Sequence, residues 1–505
     1  MNTPLRHVMV VLLGCFCLLF LQLNRVQLVD AESLQDNPAN TRTLLRDYDV
    51  ERATIMTRDG VVVASSSRSD GGVFQLQRTY PEGELYAHTV GYISFTVGAE
   101  GAERSYNDEI VGRTAQQQLA NLTDLLDASP DPGSVTLTLD HRLQQVAREQ
   151  LGERQGSIVA IDPRDGSVLA LWSWPSFDPN RVSSNNTNEA NDAYQELLEA
   201  EGNPLRARAY RDIEFPGSTF KVITAAAALE SGAATLTDPV FPATTSYTPP
   251  LTSRSISNFG GRECGGDLVE LLVQSCNAPF AELAAETLGP FVMVNQAKAA
   301  GFNAVPPFDL PGAVASNYPT DYGAQLQAPS PAVPAGLYEN TPLLAQTAIG
   351  QNDVKATPLQ MALMVAGIAN DGIIPSPHVV DEITDSDGRV VDRIEPDPWR
   401  MTMEAANARI LQDAMIQSGE RGTGTAAAVD GLVVGVKTGT AQRGTDPPLS
   451  NAWIVGFAGL PGEDFEIAVA VLVEGEPGTG DQTGGRVAGP IAHELFLTYF
   501  DDILG

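Results

Sequence analysis

Two groups of strand-like segments, set far apart in the chain, constrain its fold more than any other feature. Residues 156–162 (GSIVAID) and 167–173 (SVLALWS), separated by a four-residue turn beginning at Pro163, read as a hairpin. Three further candidates, residues 432–436, 452–456 and 467–473, lie near the C-terminus, and the last two are joined by a turn rich in Gly and Pro. The long interval between the groups is patterned as helices. Thr357-Pro358 is a helix start, with Thr as cap and Pro in the first turn, and Asn370-Asp371-Gly372 is its stop. Strands at both ends with helices between suggest an antiparallel sheet faced by a helical subdomain. The expected fold class is α+β, with a five-stranded antiparallel sheet and a helical subdomain.

Upstream of that unit the chain is polar and irregular. Short strand-like pieces flank Asp59-Gly60, and residues 127–133 (DASPDPG) read as a linker. Residues 135–139 alternate as a strand and 141–151 are helical. At the N-terminus, residues 8–21 form an unbroken apolar run. A helix over 8–24 would rise about 25 Å, with Arg6 and Arg25 able to reach the two interfaces. One transmembrane helix is expected. The rival readings are a signal peptide cleaved near Val29-Asp30-Ala31 and a lipoprotein at Cys15. The boundaries expected are 1–7 for a cytoplasmic tail, 8–24 for the anchor, 25–135 for a pedestal and 136–505 for the α+β domain.

Charge narrows the function. The 505 residues hold 31 basic and 63 acidic side chains, a net charge of −32. Such a polyanion repels phosphate backbones, so nucleic acid is not an expected partner. Five scattered His and the absence of Cys-x-x-Cys or His-Glu-x-x-His spacing give no metal site, and no cofactor is expected. Cys15 and Cys17 fall in the apolar run. Cys264 and Cys276 are the only exported pair and form a possible disulfide, with two free thiols as the alternative.

Three short motifs carry chemistry. In Pro216-Gly217-Ser218-Thr219-Phe220-Lys221, a tight turn puts Ser218 at the start of the helical run VITAAAAL, and Lys221 falls on the same face. A serine needs a base to attack a carbonyl, and a buried lysine can be that base. In Ser275-Cys276-Asn277, before a helical run over 278–288, Ser275 can relay protons and the Asn277 amide can bind a substrate carbonyl. In Lys437-Thr438-Gly439-Thr440, at the end of strand 432–436, Gly439 would admit substrate backbone, and Lys437 with the two hydroxyls would hold a carboxylate. Each alone also reads as an ordinary cap or strand end. Together, in this order, they form a known triple.

On these residues the chain resembles the penicillin-recognising serine transpeptidases, and class B penicillin-binding proteins match best. Further similar blocks are Trp174-Pro175-Ser176-Phe177-Asp178-Pro179, Ile349-Gly350-Gln351, Gly424-Thr425-Ala426, the stretch 452–458 (AWIVGFA) and 484–490 (GGRVAGP). In the pedestal, 98–106 (GAEGAERSY) is similar to the family's Gly-x-x-Gly-x-Glu stretch. Glu51-Arg52-Ala53 departs from the usual Arg-Gly and puts a pedestal contact in doubt. The short C-terminal end is similar to the small actinobacterial type without PASTA repeats. The resemblance implies a β-lactamase-like transpeptidase domain on an elongated, mostly β pedestal, held at the cell membrane by a single pass with the catalytic domain outside.

It also implies the chemistry. Ser218 attacks the penultimate D-Ala carbonyl of a stem pentapeptide, Lys221 takes its proton, and the N–H groups of Ser218 and Thr440 hold the oxyanion. D-Ala leaves with a proton relayed by Ser275 and Lys221, and a neighbouring amine, meso-diaminopimelate in the actinobacterial pattern, completes the crosslink. β-Lactams should acylate Ser218. Partners implied are a SEDS-type glycan polymerase and divisome or elongasome proteins, because 31–135 is too short for a glycosyltransferase. The alternatives are a D,D-carboxypeptidase on the same fold, a β-lactamase, and a non-catalytic penicillin-binding sensor or scaffold. Residues 419–424 (GERGTG) approximate a phosphate loop but lack the preceding strand. Asp178, Asp212 and Glu214 read as loop charges, and Asn121 and Asn185 as chance glycosylation acceptors.

Overall fold

The computed structural model describes residues 3–26, 48, 50–69, 74–114, 132–331, 333–442, 449–477 and 482–504. The candidate cleavage site, the Asn121 acceptor and most of the 127–133 linker lie outside them. Helix α1, Thr3–Asn24, contains a 19-residue stretch from Arg6 of mean hydropathy 2.1 that no other described residue buries, and it is long and apolar enough to cross a membrane. Three short strands follow, β1 (Thr54–Met56), β2 (Val62–Arg68) and β3 (Leu76–Thr79), and then β4 (Ser134–Leu137). The β1–β2 pair turns at Asp59-Gly60, where Gly60 has φ +86°.

The elements that frame the site are helix α2 (His141–Leu151), strands β5 (Gly156–Ile161) and β6 (Val168–Trp174), and helices α3 (Lys221–Glu230), α4 (Leu268–Gln274), α5 (Ala278–Glu282) and α6 (Pro358–Ala369). After these come strands β7 (Val380–Thr384) and β8 (Val390–Arg393), helix α7 (Ala405–Arg421), strands β9 (Val433–Gln442), β10 (Ser450–Gly459) and β11 (Phe465–Val473), and helix α8 (Gly489–Leu497).

The C-terminal strands and the early hairpin form one antiparallel sheet in the order β9-β10-β11-β5-β6. Every residue of β5 is buried, as is β11 from Ile467 onward, so helices cover both faces. Helix α6 packs on β11, β5 and β10, while α2 and α8 pack on each other and on the sheet. Thr357 caps α6 as its Oγ1 accepts from the Gln360 N–H. The expected strand 432–436 is corrected: β9 runs on to Gln442, because Lys437 to Gln442 stay paired with Val455 to Ser450. The Lys437–Thr440 motif therefore lies inside a strand, not at its end. The helical run expected over 278–288 is α5 continued by a π-helical segment, Leu283–Leu288.

The second sheet has the order β8-β7-β4-β1-β2-β3. Its first two strands come from late in the chain, so the hairpin after α6 returns to the pedestal and ties it to the larger unit. Below this sheet Glu103 is fully buried between Arg52 and Arg78, at 2.7 and 2.6 Å. In the Glu51-Arg52-Ala53 stretch that departs from the usual Arg-Gly, it is Arg52 that makes this pairing. Burial alone would raise the Glu103 pKa, but Arg78 and then Arg52 outweigh it and hold the carboxyl below its ordinary 4.5.

Candidate active site

Ser218 lies in a short 3₁₀ turn, Gly217–Phe220, that feeds directly into α3. The turn is held from below. Phe220 stacks on Tyr318 and meets Phe302 edge-on, each at 5.4 Å between ring centroids. The Gly217 N–H donates to the Gly350 carbonyl at 3.1 Å, and Thr219 Oγ1 donates to Pro216 O at 2.8 Å. Gly217 (φ +55°) and Gly350 (φ +69°) both occupy the left-handed region. A Cβ on Gly439 would stand 2.8 Å from Pro216 O and 2.9 Å from Thr219 Cγ2. The atoms that close on Gly439 are thus the protein's own: its bare Cα lets the serine turn dock against β9.

Because α3 begins at Lys221, the lysine side chain starts one turn beyond Ser218 and is wholly buried. Its Nζ donates to Ser275 O at 2.8 Å and to Asn277 Oδ1 at 2.6 Å, and stands 3.3 Å from Ser275 Oγ. Burial, then the Lys437 charge, then Arg262, push its pKa well below the usual 10.5. Ser275 closes α4 in the left-handed region (φ +58°), a conformation rare for a residue with a Cβ. Lys437, also wholly buried, donates from Nζ to Ser275 Oγ and to Thr438 O, both at 2.8 Å. Burial and the Arg262 charge bring its pKa down to about 7. Ser275 Oγ therefore stands between two amines.

Cys264 and Cys276 are joined in a disulfide, which fastens the turn after α4 to the loop in front of it. Thr438 Oγ1 and Thr423 Oγ1 are 2.6 Å apart. The motifs line one cleft of about 840 Å³, whose walls include Ser218, Ser275, Asn277, Thr438, Gly439 and Thr440. Strand β9 is the edge of its sheet, so one side of its backbone faces the cleft and can pair with an extended peptide.

Sequence reasoning passed over several cleft residues: Asn258, Arg262, Thr423 and Arg486. Arg486 stands inside the quoted 484–490 block, and Thr423 precedes Gly424. Asn258 and Arg262 had no motif to flag them. The Asn277 amide is engaged at both ends, accepting from Lys221 and donating to Ser257 O at 2.9 Å. None of the three loop charges lines the cleft. Asp178 accepts from the Asn180 N–H, Asp212 pairs with Arg206 and Arg208, and Glu214 accepts from Asn451 Nδ2. Residues 419–421 are the last turn of α7, not part of a phosphate loop. Asn185 spends its side chain on Leu76 O. Among the described residues no cluster of His, Cys, Asp and Glu could hold a metal.

This arrangement, a serine turn against an edge strand with two buried lysines meeting at a second serine, defines a class. Residues 156–497 match the penicillin binding protein transpeptidase domain, and 52–135 match the penicillin binding protein A dimerisation domain. The chain belongs to the penicillin-binding protein transpeptidases. Within that family it is of the class B, PbpA type. It is 34% identical to peptidoglycan D,D-transpeptidase PbpA of Mycolicibacterium smegmatis, over 97% of each chain. It is 28% identical to MrdA of Acinetobacter baumannii, over 84% of this chain and 66% of that one. The imipenem acyl-enzyme complex of penicillin-binding protein A from M. tuberculosis superposes with a TM-score of 0.78 at 31% identity, covering 90% of this chain and all of that one.

Proposed function

We propose that this protein is a peptidoglycan D,D-transpeptidase and β-lactam target that works through an acyl-enzyme on Ser218. The observation that carries the reading is Lys221: buried, flanked by cations, and with its N–H bonds directed at Ser275 O and Asn277 Oδ1. In a neutral amine those two shorter bonds would use both hydrogens, so that the longer 3.3 Å contact with Ser275 Oγ no longer needs one. The lone pair is then left for a hydroxyl proton, as a general base requires.

Ser218 Oγ attacks the penultimate D-Ala carbonyl of a stem pentapeptide as Lys221 takes its proton. The N–H groups of Ser218 and Thr440 receive the oxyanion, each such donor being worth about 10²–10³ in rate. Collapse breaks the amide, and the terminal D-Ala amine takes a proton passed from Lys221 through Ser275 Oγ. The amine of a second stem then attacks the ester, its proton returns along the same path, and Ser218 is released. Thr438 and Thr440, which line the cleft, hold the terminal carboxylate, and Lys437 supports them with its charge from beneath Ser275 and Thr438. Asn277 orients Lys221, and Gly439 admits the serine turn. A β-lactam presents the same carbonyl and carboxylate, but its leaving amine stays tethered, so deacylation is slow.

Helix α1 anchors the chain by a single pass, with residues 1–7 in the cytoplasm and the pedestal (25–135) and transpeptidase domain (136–505) outside. A polytopic SEDS-type glycan polymerase contacts the helix and pedestal, within division or elongation machinery.

The test is intact mass of the full chain in detergent after mixing with benzylpenicillin, beside Ser218→Ala. A long-lived adduct of one drug mass, absent from the variant, is expected. Rapid loss of the adduct with drug turnover would make the protein a β-lactamase, and no adduct would revive the sensor or scaffold reading. Incubation with a stem pentapeptide and an acceptor stem should then yield a crosslinked dimer, whereas tetrapeptide alone would mean a carboxypeptidase.

A further inference from the structure

The loop 255–264, which contains no catalytic motif, lines the same cleft as Ser218. Its Asn258 is 3% exposed and uses its whole side-chain amide. Oδ1 accepts from the backbone N–H of Asn277 at 2.8 Å and of Ala278 at 2.9 Å. Nδ2 donates to Thr244 O at 2.6 Å and to Arg262 O at 3.2 Å. Asn277, whose backbone N–H it holds, in turn accepts through its side-chain Oδ1 from Lys221 Nζ.

The same loop grips the same turn twice more. Arg262 donates from Nη2 to Gln274 O, the residue before Ser275, and Cys264 is bonded to Cys276. Gln274, Ser275, Cys276 and Asn277 are thereby held from one side by one loop. The two N–H groups that Asn258 satisfies sit at the start of α5, where the helix itself offers no partner. Ser275 meanwhile occupies the left-handed region, which is costly for a residue with a Cβ and persists where the surroundings fix it.

We propose that Asn258 is a positioning residue for Lys221, holding the Ser275–Asn277 turn so that Ser275 O and Asn277 Oδ1 meet the lysine amine. The inference rests on Lys221 being the base for Ser218. Charges facing Lys221 are Lys437 from β9 and Arg262 from this loop, and the ring of Phe280, on α5, is centred 6.0 Å from Nζ. If the brace is lost, the amine loses its fixed acceptors and the serine its aligned base.

The experiment measures the acylation rate of the full chain in detergent by a chromogenic cephalosporin, from pH 5 to 10, for the parent, Asn258→Ala, Asn258→Ser and Asn258→Asp. Rates are normalised to the protein that finally acylates, so unfolded molecules do not count. Loss of the brace should slow Asn258→Ala about tenfold or more at saturating drug with little change in drug affinity. Asn258→Asp keeps an acceptor for both N–H groups but sets its second oxygen against Thr244 O and Arg262 O, so it should recover part of that rate. Its carboxylate favours the ammonium form of the lysines, so the acid limb of its profile should move up by about half a pH unit or more.

Equal rates and an unmoved limb in the Asp and Ser variants would overturn the proposal, even if the Ala variant fails to fold. So would losses in Ala and Asp of equal size with both limbs unmoved. The Ser218→Ala control separates the two levels. If it still acylates, the Ser218 reading itself fails; if it does not, and the Asn258 variants behave as the parent, only the positioning role fails.

Discussion

Replacing Lys437 by Met should stabilise the protein at neutral pH while disabling it. The lysine is fully buried, and its ordinary pKa of 10.5 is brought down to about 7, first by burial and then by Arg262. Between those values the unfolded chain binds a proton that the folded chain does not, so stability rises with pH across the window. Each pH unit is worth about 1.4 kcal/mol. Holding the ammonium below pH 7 therefore costs the fold about 5 kcal/mol relative to pH 10.5. Methionine fills a similar volume without that charge, but it forfeits the bonds from Nζ to Ser275 Oγ and Thr438 O, about 2 kcal/mol together. The variant should be more stable than the parent by about 3 kcal/mol at pH 6 and less stable above roughly pH 9, where the balance changes sign. Relief of the Lys437 charge on Lys221 acts in the same direction. Urea unfolding midpoints of parent and variant at pH 6, 8 and 10 give the comparison, with acylation by benzylpenicillin alongside, expected to fall about 10²-fold. A variant less stable at pH 6, or a gap that does not change with pH, would refute the reasoning.

Other perturbations probe the frame. Gly350→Ala places a Cβ 2.1 Å from Gly217 O and 2.8 Å from Phe220 Cβ, at φ +69°; the serine turn must shift, and acylation should drop about tenfold or more with the far-ultraviolet dichroism unchanged. Reducing Cys264–Cys276, or replacing both by Ser, reopens a loop of sequence separation 12 and should lower stability by about 3 kcal/mol while slowing acylation; unchanged acylation in reductant would show that the bridge does not pin the turn. Glu103→Gln leaves Arg52 and Arg78 buried without their carboxylate and should destabilise by about 3–5 kcal/mol. In the parent, Glu103 has its pKa held below 4.5, so its contribution is complete above that value and is lost as pH falls through the folded pKa; acid unfolding midpoints should register this only when Glu103 is present.

Much of this architecture was legible along the chain because its signals are local. The 156–173 hairpin, the Thr357 cap and the long α6 follow from neighbours within one or two turns. The three motifs, and the resemblance they carry, need only the order of residues. Helix α1 follows from apolar length alone.

What the sequence by itself could not supply were the contacts between distant segments. Alternation finds a strand but not its neighbour, so nothing local announces that β11 lies against β5 or that the β7–β8 hairpin returns to the pedestal. The run of β9 through Lys437–Gln442 was missed for the same cause: those residues are strand because β10 pairs with them. Asn258 sits in a polar loop like any other until the fold brings it under Asn277. The lysines show this most plainly. Their identity is local, but their altered basicity comes from burial and from cations brought in by other segments, and only the assembled fold sets those distances.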